Sequence, residues 1–149
     1  MITNEPFETR FSRLKGEYEH GAFEYADPST DFRSAVTSHF GDISRKNERH
    51  GIYIVRKKGD QEVLYIGKGG TVDSEGCFKT QDIPKRLKNV KDGEVQADDW
   101  FRDLVEDKGA LLVEYVFLPI SESPALVEAA LLQAYLNEYK RLPCKNKSF

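Results

Sequence analysis

GIYIVRKKGDQEVLYIGKGG, residues 51–70, decides how the chain is read. Two apolar runs, 51–57 and 62–67, flank KKGDQE, which carries the Gly and Asp that a tight hairpin demands. Pairing Tyr53 with Tyr65 around the loop Lys58, Gly59 and Asp60 puts both rings on one face, because directly opposed residues share a face. Val55 then faces Val63, and Gly51 faces Gly67. The two hydroxyls come to the lip of a concavity whose upper wall has no side chains. Tyrosine suits any half-buried sheet, so the hairpin alone fixes no function.

Outward from the hairpin, LLVEYVFL at 111–118 reads as a third strand, ended by Pro119. Between strands two and three lie two short helical patterns. One starts at about Asp82 with Ile83, Leu87 and Val90 inward. The other starts at Asp98 with Trp100 or Phe101, Leu104 and Val105 inward, and closes at Gly109. The final pattern, SESPALVEAALLQAYLNEYKRLP, has Ser123 as N-cap, Pro124 at the first helical position and Pro143 beyond the end. The expected fold of residues 51–149 is α/β, a small three-stranded, mostly antiparallel sheet flanked by helices.

Upstream, Phe7, Phe11, Leu14 and Tyr18 make a helical stripe with Gly21 as its stop. A second helix follows ADPST, with Asp31 or Thr30 as N-cap, Phe32, Ala35, Val36 and Phe40 on one face, and Gly41 at its end. A charged linker, RKNERH, leads into the hairpin. Residues 1–50 therefore read as a helical extension packed on the domain, and no internal repeat is present.

The 149 residues fit one domain with a full core. A net charge of −3, from 22 basic and 25 acidic residues, excludes the cationic surface of a nonspecific nucleic-acid coat protein but leaves room for a local basic groove. Cys77 and Cys144 lie far apart with no metal-ligand pattern, which fits a reduced cytoplasm. No leader pattern and no apolar run of membrane length is visible, so no membrane partner is expected.

Glu128 stands among Pro124, Ala125, Leu131 and Leu132 at helical spacing, with Val127 and Ala129 beside it. A buried carboxylate needs a metal or a basic partner. A structural ion pair with an arginine and a narrow exposed strip are the alternatives. Arg86 borders the stripe Ile83, Leu87, Val90, and Lys79, Lys85, Lys88 and Lys91 surround it against Asp82. Such a run suits a phosphate or simply a solvated helix. GKGG at 67–70 lacks the spacing of a phosphate-binding P-loop, and His20, His39 and His50 show no metal spacing.

GIY at 51–53, eleven residues, YIG at 65–67, then Arg86, Glu128 and Asn146 in order resemble the GIY-YIG nuclease family. The resemblance covers residues 51–146. It implies a metal-dependent phosphodiesterase acting on DNA, with Tyr53 and Tyr65 as paired active-site tyrosines, Gly67 admitting substrate, and Arg86 as the family's arginine. Glu128 would hold Mg²⁺ or Mn²⁺, and Asn146 of LPCKN would help order the site. Lys68, Lys85 and Lys88 complete the expected substrate contacts.

On this reading Arg86 offsets charge growing on the phosphorus, and Tyr53, with nearby positive charge, takes the water's proton. Where some members carry a histidine one turn after the arginine, Val90 stands here. The alternative is a catalytically weak module of the same family that binds nucleic acid or a protein. The first fifty residues, with seven basic and nine acidic side chains, give no electrostatic case for DNA reading. Capping the sheet, forming a homodimer surface and receiving a partner protein are their candidate roles.

Overall fold

The computed structural model describes residues 5–41, 49–89 and 95–148. The hairpin forms from β2 (Gly51–Lys57) and β3 (Val63–Gly69), and β6 (Leu111–Phe117) pairs antiparallel with β2 on its other side. The sheet does not stop at three strands. A segment expected to end a helix instead makes β1 (His20–Tyr25), which pairs antiparallel with β6 and gives a four-stranded sheet of order β1-β6-β2-β3.

Gly21 explains the error. The first helix, α1 (Phe7–Glu17), already ends at Tyr18, whose backbone is extended. Gly21 lies opposite Tyr115 in the β1–β6 ladder, and a Cβ there would collide with the Tyr115 ring and hydroxyl. The glycine seats a tyrosine; it does not stop a helix. The alternation that buries Phe23 and Tyr25 while exposing Ala22 and Glu24 is too short to stand out in the sequence.

The hairpin register also differs from the expected one. Lys57 N bonds Glu62 O at 2.8 Å, and residues 58–61 form the loop, with Gln61 in the left-handed region at φ 66°. A bulge then shifts the ladder between Val55 and Arg56. Each event slips the pairing by one residue. Tyr53 therefore faces Gly67, Val55 faces Tyr65, and Gly51 faces Gly69. Two slips restore parity, so Tyr53 and Tyr65 still share a face, now as a diagonal pair with ring centroids 6.0 Å apart.

Helices cover both faces. On the tyrosine side pack α2 (Phe32–Phe40), α3 (Ile83–Leu87) and α4 (Ala97–Lys108), burying Phe32, Val36, Ile83, Leu87, Trp100 and Phe101 against Tyr53, Val55 and Val113. Phe32 stacks on Phe101 with ring centroids 3.5 Å apart. On the other side, α1 and α5 (Pro124–Tyr139) bury Phe7, Phe11, Leu131 and Leu132 against Ile52, Ile54 and Ile66. Arg56, buried beside the bulge, bonds Glu114 at 2.5 Å and Glu8 at 2.6 and 2.7 Å, tying α1 to the sheet. Losing one partner of the buried Arg56–Glu114 pair costs about 3–5 kcal/mol, whereas Glu8 is half exposed.

The first fifty residues are thus not a helical appendage: they supply a strand and cover both faces. Asp31 caps α2 as expected, accepting from Ser34 N, and Gly41 ends it at φ 73°. The α4 helix starts one residue before Asp98, whose carboxylate instead accepts from Arg33 N at 2.9 Å. A small ribbon, β4 (Thr71–Val72) with β5 (Phe78–Lys79), joins β3 to α3. Val90 and Lys91 lie outside the described residues. Among the described residues no helix is long and apolar enough to cross a membrane.

Candidate active site

Strand β3 is an edge of the sheet, and the expected residues gather around it from separate segments. Edge strands leave unpaired backbone groups that must be covered. The C-terminal segment does this. Lys145 N donates to Leu64 O at 2.9 Å, and the Asn146 carboxamide bonds both backbone groups of Ile66 at 2.9 Å. Asn146 thus fixes the residue between Tyr65 and Gly67.

Tyr53 is fully buried, and its hydroxyl has no hydrogen-bond partner among the described residues. Burial pushes its pKa well above the ordinary tyrosine value; the Tyr65 phenol and the Glu128 carboxylate push the same way, and Arg86 opposes them. Tyr65 is half-buried and packs edge-on against Trp100 at 5.5 Å. Trp100 supplies the wall that orders the outer phenol, a role hidden in the sequence inside an ordinary helix stripe.

Gly67 does not open a wall for substrate. A Cβ there would lie 2.6 Å from Tyr53 Cζ and 2.7 Å from Tyr65 Cε2, so the glycine makes room for the two rings themselves. Gly69 does the corresponding work for α3: a Cβ on it would meet Ile83 N at 2.5 Å. That close approach seats α3 on the end of β3, with Asp82 as its N-cap and Arg86 in its last turn. Arg49, read as linker, is buried at 1% exposure; its guanidinium bonds Phe40 O at 3.2 Å and lies 3.8 Å from Asp82. It braces α3 against α2, and nothing in RKNERH distinguishes it from its neighbours.

Glu128 projects from α5, the helix on the opposite face from the tyrosines. Its carboxyl makes no hydrogen bond and no ion pair within 4 Å among the described residues. Burial raises its pKa, with Lys68 and then Arg86 drawing it down. The same carboxylate and Arg86 both act on the Tyr53 phenol, in opposite directions. Glu128 is half-buried and is not locked against the guanidinium.

Lys68, Lys85 and Arg86 line a hollow of about 490 Å³ with Gly70, Thr71, Thr80 and Gln81. Lys88 is separated from it and lines a second hollow on the α2 side. Two of the histidines pack on rings: His50 stacks on Phe78 at 4.4 Å, and His39 lies 4.9 Å from Phe23 with Nε2 2.7 Å from Tyr115 Oη, while His20 is exposed. The Tyr115 ring lies over Gly21 while that of Tyr53 lies over Gly67, so the His39 pair faces away from the β3 edge.

Among the described residues no group of three or more His, Cys, Asp or Glu side chains is gathered. One carboxylate without a partner among the described residues, beside a basic hollow, suits a hard cation that keeps most of its waters and shares substrate phosphate oxygens. The donor set therefore fits Mg²⁺ or Mn²⁺. Compared with protein-family models, curated proteins and solved structures, the chain matches none.

Proposed function

We propose that the chain is a divalent-metal-dependent DNA endonuclease of the GIY-YIG type. The observation that carries this reading is the meeting of Tyr53, Arg86 and Glu128, from a central strand and helices on opposite faces, in one electrostatic neighbourhood at an edge strand pinned by Asn146. A structural α/β domain gives no reason for a half-buried carboxylate and a fully buried hydroxyl to stand there without hydrogen bonds from the described residues.

A hard cation at Glu128 would neutralise a nonbridging phosphate oxygen and the leaving 3′ oxygen. The protein's own groups do the rest. Arg86 and Lys68 hold the phosphate and offset charge that grows as water attacks, an effect typically worth a few kcal/mol per preorganised donor. Tyr53 stays protonated at neutral pH, because burial disfavours its phenolate. It is the donor of the pair; its oxygen is closed to solvent, so its O–H acts on the neighbouring Tyr65 phenol and not on phosphate or water directly. The expected base role moves to Tyr65: its half-exposed oxygen first gives its own proton to solvent and then, as the phenolate, takes one from the water as the water oxygen bonds phosphorus and the bond to the 3′ oxygen breaks. Products are a 5′-phosphate and a 3′-hydroxyl, the latter protonated from solvent.

The test is cleavage of supercoiled plasmid and of branched DNA with Mg²⁺ or Mn²⁺ by the wild type, Glu128→Gln and Arg86→Ala. Each substitution is expected to lower the rate at least 100-fold, and a chelator to abolish it. Nicking that survives both substitutions and the chelator overturns the proposal. DNA binding without cleavage under either ion moves the chain to the binding-module alternative.

A further inference from the structure

The acidic tally of the first fifty residues hides how those charges are engaged. Glu5 pairs with Arg13, Glu8 with Arg56 and Glu24 with Lys58, while Asp27 and Asp31 accept from backbone N–H groups of their own turns. Lys15, Lys57, Arg102 and Lys108 also lie within 4 Å of a carboxylate, whereas Lys79, Lys140, Arg141 and Lys145 make no ion pair among the described residues. Arg33, Lys68, Lys85 and Lys88 make no such pair among the described residues. A chain of net negative charge therefore keeps unmatched cations on α2, β3 and α3, on and beside the proposed site.

Geometry joins them. Lys68, Lys85 and Arg86 line the hollow of about 490 Å³ at the β3 edge. Lys88 lines a second hollow, of about 300 Å³, with Arg33, Ser34, Thr37 and Ser38 of α2. Lys85 and Lys88 are three residues apart, and Lys88 keeps a helical backbone at φ −87° and ψ −6°. Residues at that spacing are neighbours about 5–6 Å apart at Cβ. The two lysines form a short basic bridge from one hollow to the other.

The second hollow is polar and supplied with donors. Thr37 Oγ1 already donates to Arg33 O, and the Ser34 hydroxyl bonds Asp31. That leaves the Arg33 guanidinium, the Lys88 ammonium and the Ser38 hydroxyl facing outward. Asp31 and Asp98, at the first turn of α2, set its acidic limit.

We infer that the outer face of α2 continues the substrate path: a sugar-phosphate backbone leaving the Lys68 and Arg86 hollow crosses Lys85 and Lys88 and settles on Arg33 and Ser38. The inference rests on the nuclease reading for where the scissile phosphate lies. It gives the N-terminal residues a role in holding nucleic acid, against the expectation from their composition.

Binding of a fluorescein-labelled DNA duplex, and of the same single strand, is measured by anisotropy in Glu128→Gln protein without divalent ion. The Arg33→Gln and Lys88→Gln substitutions are then added singly and together. Each is expected to weaken binding several-fold and to lower the slope of log affinity against log salt by about one. Arg102→Gln, on the paired surface of α4, serves as the control and keeps the parent affinity. The altered side chains are solvent-facing, and thermal melts check that each variant folds. Parent affinity and salt slope in the Arg33→Gln, Lys88→Gln double variant overturn the inference whether or not the chain cleaves. Nicking that survives Glu128→Gln, Arg86→Ala and a chelator overturns the nuclease reading and leaves a positive binding result standing.

Discussion

Asn146 grips Ile66 with both halves of its carboxamide: Oδ1 accepts from Ile66 N and Nδ2 donates to Ile66 O, each at 2.9 Å. A side chain near the C-terminus thereby stands in for a neighbouring strand at the one residue that separates Tyr65 from Gly67. Asn146→Ala removes both bonds and leaves two backbone groups to solvent or to nothing. A loss of about 1–3 kcal/mol is expected in urea unfolding, with a fall in cleavage of at least 10-fold under conditions where the variant is fully folded. Asn146→Asp keeps the acceptor and loses the donor, so it should fall between the two. Full activity in folded Asn146→Ala would detach this contact from the site.

Gly67 tests whether the phenols need the bare strand beneath them. A methyl group there meets Tyr53 Cζ and Tyr65 Cε2 well inside van der Waals distance, so Gly67→Ala is expected to cost about 1–3 kcal/mol by overpacking. The clash is with two rings, so shrinking one of them should relieve part of it. Tyr53→Leu combined with Gly67→Ala is expected to be less destabilised than the sum of the two changes, and the difference measured in a double-mutant cycle is their coupling. Strict additivity would mean that the rings do not rest on Gly67.

The hairpin, the last helix and the order of the five site residues were legible in the sequence, because each depends on local pattern: alternating apolar runs, a proline at a helix start, a motif at fixed spacing. The register was not. It depends on a left-handed Gln61 and a bulge at Val55, neither of which has a marker as plain as glycine. The pairing of Tyr53 with Tyr65 was wrong by two residues, yet their shared face was right, since two slips preserve parity. Strand β1 escaped notice because it holds only two inward aromatics and a glycine whose partner, Tyr115, is far along the chain. Long-range partners also hid the roles of Trp100, Gly69 and Arg49.

Removing the Tyr53 hydroxyl should separate stability from function. The group is buried and has no hydrogen-bond partner among the described residues, so Tyr53→Phe gives up no bond and sheds a buried polar atom. Unfolding free energy is expected to stay level or rise by up to about 1 kcal/mol, while cleavage falls at least 10-fold if the hydroxyl positions the Tyr65 phenol. The rate's pH profile should keep its shape, because the lost group is a donor that does not titrate in the working range. A shift in the basic limb would return the base role to Tyr53.

Glu128 gives the prediction with a defined sign. Burial holds its folded pKa above the unfolded value, so between those two values the native state binds the extra proton. Unfolding free energy therefore declines as pH rises through that window. Below about pH 4, where the unfolded carboxyl is itself largely protonated, wild type and Glu128→Gln should melt nearly together. Above the folded pKa the wild type carries a half-buried charge that the amide lacks, and Glu128→Gln should be the more stable, by on the order of 1 kcal/mol. Millimolar Mg²⁺ at neutral pH should recover part of that deficit in the wild type and none in the variant, since a cation that binds only the folded carboxylate stabilises only that protein. Melting curves at acidic and neutral pH, with and without Mg²⁺, read all four conditions. A stability gap that does not change with pH would mean that the carboxylate is as well solvated folded as unfolded, and Glu128 would then be an ordinary surface acid with no claim on a metal.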